Sequence, residues 1–284
     1  MLICSAALLT AGCSNDDNGH EPAAMDDDQA PAGSKSMASS SADHDADKMT
    51  GASKDDESSE HEAHWSYTGD GAPQYWGELK DEFLTCKTGK NQSPIDISPV
   101  VITDLPDLET NYQPVSLKVI NNGHTIQVPY SGSTLTIDGQ SYDLIQFHFH
   151  SPSEHTIGGK AYDMVAHLVH QNTDGGLAVI GVLFEEGDAN PVIETIWAHL
   201  PDTNAESEAP DVQVNVADLL PANHVYAQYS GSLTTPPCSE GVHWMVMLTP
   251  VTVSRDQVDA FLELFPHSTR PTQPLNGRVV RVDN

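Results

Sequence analysis

The chain has 284 residues, with 41 acidic against 12 basic side chains, a formal charge of −29 and four cysteines, which suits one large domain plus an appendage. So few cations argue against nucleic acid or anionic lipid headgroups as partners, because binding either takes clustered Lys and Arg. The acidity is spread, 14 acidic and three basic side chains over residues 14–63 and 27 and nine over residues 64–284, which fits a salty or extracellular setting.

In chain order, the first element is the apolar run Leu2 to Leu9, followed by Ala11-Gly12-Cys13. It is too short to span a bilayer, and a cysteine directly after a small pair resembles the lipobox of bacterial lipoproteins. Residues 1–13 are expected to be a signal segment with Cys13 as the lipidated residue, so that the chain meets a membrane only through that anchor. An exported protein follows, periplasmic and anchored, or secreted. Residues 14–63 contain no aromatic side chain and read as a disordered acidic linker, since they cannot bury enough surface to offset chain entropy. His20, His44 and His61 within it have no ligand spacing and read as solvated.

At His64 the texture changes. Trp65, Tyr67, Tyr75 and Trp76 announce a core, and β-prone runs then alternate with turn signals. Val115–Ile120 ends at Asn121-Asn122-Gly123, Thr125–Val128 at Pro129, and Thr134–Ile137 at Asp138-Gly139. Leu144–His150, Met164–His170, Leu177–Phe184 and Val242–Leu248 continue the series, and helical patterning is confined to stretches such as Asn190–His199 and Arg255–Leu264. Residues 64–284 therefore read as one β-dominated α+β domain with a few short helices. With Cys4 removed and Cys13 lipidated, Cys86 and Cys238 are left as an even pair in an exported domain, which predicts a disulfide. Closing a loop that long is worth roughly 5 kcal/mol on a chain-entropy argument.

The chemistry gathers at Gln146-Phe147-His148-Phe149-His150. Alternate strand residues share a face, so His148 and His150 project together. The strand Met164–His170 offers His167 and His170, of opposite parity, and one of them can join the pair. Parity alone leaves open which. Three neutral imidazoles from two strands make a set that zinc accepts, with a fourth position for water, as catalytic sites require.

Gln146–His150, Ser153–His170 and Ser230–Trp244 resemble the signatures of the alpha-class carbonic anhydrases. Within them stand Ser153-Glu154-His155-Thr156-Ile157, Ala166-His167-Leu168-Val169 and Gly231-Ser232-Leu233-Thr234-Thr235-Pro236-Pro237-Cys238. The likeness runs in order from Trp65 and Tyr67, through Gln92-Ser93-Pro94-Ile95-Asp96, to Arg270-Pro271-Thr272-Gln273-Pro274-Leu275, covering nearly all of residues 64–284. It implies a large, twisted, mostly antiparallel central sheet with a zinc ion at the bottom of a cleft.

The same resemblance implies the roles. The ligands are His148, His150 and His167, and the reaction is reversible hydration of CO₂ to bicarbonate and a proton, by attack of zinc-bound hydroxide. Thr234 orients the attack by donating its one proton to Glu154, and Thr235 contacts bicarbonate. Val169, Val179, Leu233, Val242 and Trp244 form an apolar wall for CO₂. His124 shuttles the proton outward, and Tyr67, Asn122 and Gln127 hold the water chain that leads to it. Gln146 orients His148, while His155 and His170 are structural hydrogen-bonding residues. At the position of Val165 the family usually has a glutamate bonded to His167's other nitrogen; Asp163 or a water is the candidate replacement. The reading from another class is a silent binding module, and the retained histidines, Thr234 and Glu154 argue against it. A homodimer is left open.

Overall fold

The structure, a computed structural model, describes residues 64–283; the expected signal segment with Cys13 and the acidic linker 14–63 lie outside the described residues. Two single-turn helices, α1 (Trp76–Leu79) and α2 (Thr85–Thr88), precede the strands. Then come β1 (Val100–Ile102), β2 (Glu109–Asn111), β3 (Val115–Asn121), β4 (Ile126–Pro129), β5 (Thr134–Ile137), β6 (Gln140–His150), β7 (Met164–Gln171) and β8 (Leu177–Glu186). After α3 (Pro191–Trp197) follow β9 (Ala205–Val214), β10 (Tyr226–Ser232), β11 (Glu240–Met247), β12 (Val251–Val253), α4 (Arg255–Leu264) and β13 (Val280–Val282).

The strands form one sheet in the order β1-β13-β10-β11-β8-β7-β6-β4-β3-β9, with β12 on β8 and β2 on β5, which itself pairs with β6. Pairing is mostly antiparallel; β1 with β13, β11 with β8 and β12 with β8 are parallel. The expected strands are all present, several of them longer than the apolar pattern suggested. Asp138 and Gly139 take φ of 51° and 74°, the left-handed pair that a two-residue hairpin between β5 and β6 requires. Both expected helices form, each at its cap. Asn190 accepts from the Val192 and Ile193 amides with Pro191 in the first turn, and Ser254 forms a capping box with Gln257. Each cap contributes about 1 kcal/mol.

The sheet separates two apolar layers. On one face Phe147, Phe149, Leu168 and Ile180 pack with Ile193, Ile196 and Phe261 of the helices, and Trp197 lies edge-on to Phe149 and stacked on Phe261. On the other, Val165, Val169, Val179, Tyr229, Trp244 and Val246 pack with Ile95 and Ile97. The second face carries the histidines. Cys86 of α2 and Cys238, just before β11, are joined by a disulfide, which ties the N-terminal segment to the loop carrying Thr234 and Thr235.

Candidate active site

Strand register builds the site. Between β6 and β7, His148 faces His167, His150 faces Val165, and Gln146 faces Val169. His167 therefore shares the face of His148 and His150. His170 turns to the opposite layer, where its Nε2 meets Tyr112 Oη at 2.8 Å and its Nδ1 meets the Ala178 carbonyl at 3.2 Å. The choice that parity left open falls to His167. One ring nitrogen from each of His148, His150 and His167 lies within 4.8 Å of the others.

Their outer partners set the tautomers. His148 Nδ1 stands 2.9 Å from Gln146 Oε1 and His150 Nδ1 2.5 Å from the Ser268 carbonyl. Both acceptors are oxygens, so each Nδ1 carries the proton and each Nε2 keeps a lone pair for the centre. His150 Nε2 is buried without a hydrogen-bond partner among the described residues, which leaves it free to ligate. Burial, reinforced by His150, holds His148 and His167 well below the ordinary imidazole range, so both stay neutral at physiological pH. Three converging ring nitrogens with no thiolate among them fit a divalent zinc ion with an open position.

Glu154 lies beneath them in the loop between β6 and β7. Its Oε1 accepts from the Arg270 amide at 2.9 Å, and its Oε2 is 3.6 Å from His150 Nε2 and 3.9 Å from His167 Nδ1. Burial pushes its carboxyl up, opposed by His150, the Arg270 amide and the Thr234 hydroxyl. Thr234 is close enough to favour the carboxylate, while Oε2 has no hydrogen-bond partner among the described residues. The turn beyond it is closed by the Cys238 amide on the Thr235 carbonyl, 2.8 Å.

Two cavities meet at the histidines. The smaller, about 40 Å³, is lined by His148, His167, Val169, Val179, Leu233, Thr234, Thr235 and Trp244. Val242 does not line it. It pairs with Gly231, one step beyond the row that joins Val169, Val179 and Trp244, and is buried in the same apolar layer as they are. The larger, about 140 Å³, is lined by Trp65, Tyr67, Asn122, His124, Thr125, Gln127, Gln146, His148, His150 and Thr235. All three expected water-chain residues are there. The Asn122 Oδ1, however, is committed to its own turn, accepting from the His124 and Thr125 amides at 3.0 Å each. Gly123 in that turn has φ +83° and abuts Asn204, a place only glycine fills without strain.

His124 also borders an outer groove of about 430 Å³ with His64 and His267. Its ring is stacked on Trp65, centroids 3.7 Å apart, and lies 5.1 Å from His64. Burial, then His64, lowers its pKa.

Sequence reasoning gave no role to Ser268 or Arg270. They reach the site from 118 and 116 residues away along a C-terminal stretch without regular structure, and no local pattern marks them. Asp163 does not serve His167: its Oδ2 accepts from the Glu186 amide at 2.8 Å, and its Oδ1 is 4.0 Å from Arg255.

The profile of a family described as eukaryotic-type carbonic anhydrase matches residues 71–284. A carbonic anhydrase of Klebsiella pneumoniae is 46% identical over 222 residues, 77% of this chain and 90% of that protein. A hyperthermostable carbonic anhydrase from a hydrothermal vent chimney superposes with a TM-score of 0.76 at 50% identity, covering 78% of this chain and all of the other. The alpha-carbonic anhydrase of Thermovibrio ammonificans, solved with the inhibitor sulfanilamide, gives 0.75 at 44% identity, covering 77% and 99%. The chain belongs to the alpha, or eukaryotic-type, carbonic anhydrase family of enzymes.

Proposed function

We propose that the chain hydrates CO₂ reversibly to bicarbonate and a proton, with zinc held by His148, His150 and His167. One observation carries this reading: the three nitrogens converge beside a cavity of about 40 Å³ walled by Val169, Val179, Leu233 and Trp244. That space suits a molecule of a few atoms. Zinc bound there lowers the pKa of a water ligand to about 7, carbonic anhydrase being the type case of the effect.

The protein's own groups do the rest. The apolar wall holds an uncharged gas, which offers nothing for a hydrogen bond to grip. Thr234 has one proton, and giving it to Glu154 leaves a lone pair to accept from the attacking oxygen and so aim it at the carbon. Thr235 borders both cavities and is placed to contact bicarbonate as it leaves. Tyr67, Asn122 and Gln127 line the polar cavity that guides the proton to His124, which passes it to the outer groove. Val242 packs in the same apolar layer as the wall.

The disulfide fits an oxidising compartment, and no described helix is long and apolar enough to cross a membrane. We assign the chain to export, with residues 1–13 as the signal segment, Cys13 as a lipid anchor, 14–63 as the tether and 64–284 as the catalytic domain. The decisive experiment is a stopped-flow CO₂ hydration assay on the purified protein before and after zinc chelation. Rapid hydration that chelation abolishes and added zinc restores is expected; a rate no greater than that of buffer with stoichiometric zinc present would overturn the proposal.

A further inference from the structure

Among the described residues, two buried ring nitrogens, His155 Nδ1 and His167 Nε2, have no hydrogen-bond partner and no place in the chemistry above. His167 Nδ1 and His150 Nε2 approach the same Glu154 oxygen, so Nδ1 is the metal-facing atom of His167 and Nε2, on the far side of the ring, carries its proton. An N–H buried without an acceptor loses the hydrogen bond that water would give it, so an acceptor is expected. Val165, two residues earlier on the same face, is fully buried and supplies none. The His155 ring is 6.0 Å from that of His167, centroid to centroid. Even with both nitrogens on the line of centres, that separation exceeds the ~3.2 Å reach of a direct hydrogen bond.

Resting on the zinc reading, we propose that His155 is a positioning residue for His167, its Nδ1 lone pair receiving the His167 Nε2–H through one buried water. The water accepts from His167 and donates to His155. Were His155 protonated at Nδ1 instead, both rings would donate, and both water protons would face Val165 and Trp244, whose ring lies 4.9 Å from His167 and 4.6 Å from His155. The remaining proton of His155 sits on Nε2 and goes to Tyr229 Oη, 2.7 Å away, which in turn donates to Ser93 Oγ, also at 2.7 Å. Hydroxyls can run such a chain in either direction, so the hydroxyl chain accommodates the tautomer that the water needs.

Nitrogen-15 NMR of the zinc-loaded protein reads this directly. His155 should show an unprotonated Nδ1 and a protonated Nε2; the opposite tautomer overturns the inference and leaves the zinc reading standing. Transfer of zinc to a chelator gives a second measure. His155→Phe, which removes both contacts, should release zinc about 10-fold faster or more, and His155→Asn, whose amide oxygen replaces the Nδ1 acceptor, should restore most of the retention. Unchanged release from a folded His155→Phe protein overturns the inference alone, whereas a wild-type protein that takes up no zinc overturns both.

Discussion

The two cavities share His148 and Thr235, yet their walls have opposite chemistry. Strand order explains the contrast. Across the face run β4, β6, β7, β8 and β11; β4 and β6 give Gln127, Gln146 and His148 to the polar side, while β7, β8 and β11 give Val169, Val179 and Trp244 to the apolar one. The row Gln146–Val169–Val179–Trp244 is continuous in register, so the change from wet to dry falls between β6 and β7, where His148 meets His167. A gas without charge needs the dry side, a departing proton needs the wet one, and the proposed metal position lies on the boundary. The apolar wall is mostly sheet and fixed by register. The polar wall is completed by Trp65, Tyr67 and the Asn122–Thr125 turn, outside the regular strands.

The strongest way to break the arrangement is to remove its boundary. His150→Ala should cost zinc and lower hydration on the order of 10⁴-fold or more, checked by metal analysis beside stopped-flow rates; retained zinc with retained activity would refute the ligand set. Next comes the orienting hydroxyl. Thr234→Ala should cost about 10²–10³-fold in kcat/KM, with zinc content unchanged and Thr234→Ser recovering most of the rate.

Separate walls should control separate kinetic constants. Val179→Phe fills the apolar cavity and should lower kcat/KM about 10-fold, with kcat in strong buffer less affected; its melting temperature shows whether overpacking has disturbed the fold. His124→Ala should do the reverse, leaving kcat/KM intact, lowering kcat in weak buffer about 10-fold, and yielding to added imidazole. If both variants lowered the same constant, the division between walls would fail.

How much of this was legible in the sequence depends on what holds each part. Strands with one buried face announced themselves by alternation, as β3 does with Leu117 and Val119 inward. β9 did not, because Glu206, Glu208 and Asp211 alternate only with small side chains until Val212 and Val214, on a sheet edge. Tyr226–Ser232 is rich in Gly, Ser and Gln, yet it lies inside the sheet, where tertiary pairing overrides propensity. In the site, periodicity put His148 and His150 on one face, the resemblance chose His167 where parity could not, and Ser268 and Arg270 are delivered by tertiary packing. Val242 was placed in the wall by the resemblance; it shares the parity of Trp244 but lies outside the β11–β8 register, which starts at His243.

The smallest expected effect concerns the polar wall's outer end. His124 accepts a proton only while neutral, so kcat should fall on the acid side as its ring becomes protonated. Burial in the stack on Trp65 disfavours the charged ring, and His64 adds like-charge repulsion. Both lower the pKa, so the acid limb should lie below that of a free imidazole, near pH ~6.5. His64→Ala removes the repulsion and leaves the burial. The pKa of His124 should rise, and the acid limb of kcat in weak buffer should move to higher pH, while kcat/KM, set at the dry side, keeps its own profile. Trp65→Ala exposes the ring and should move the limb the same way. Were the limb to stay in place in both variants, the proton would be leaving by a route that does not pass through the Trp65 stack, and the wet wall would have to be redrawn without His124.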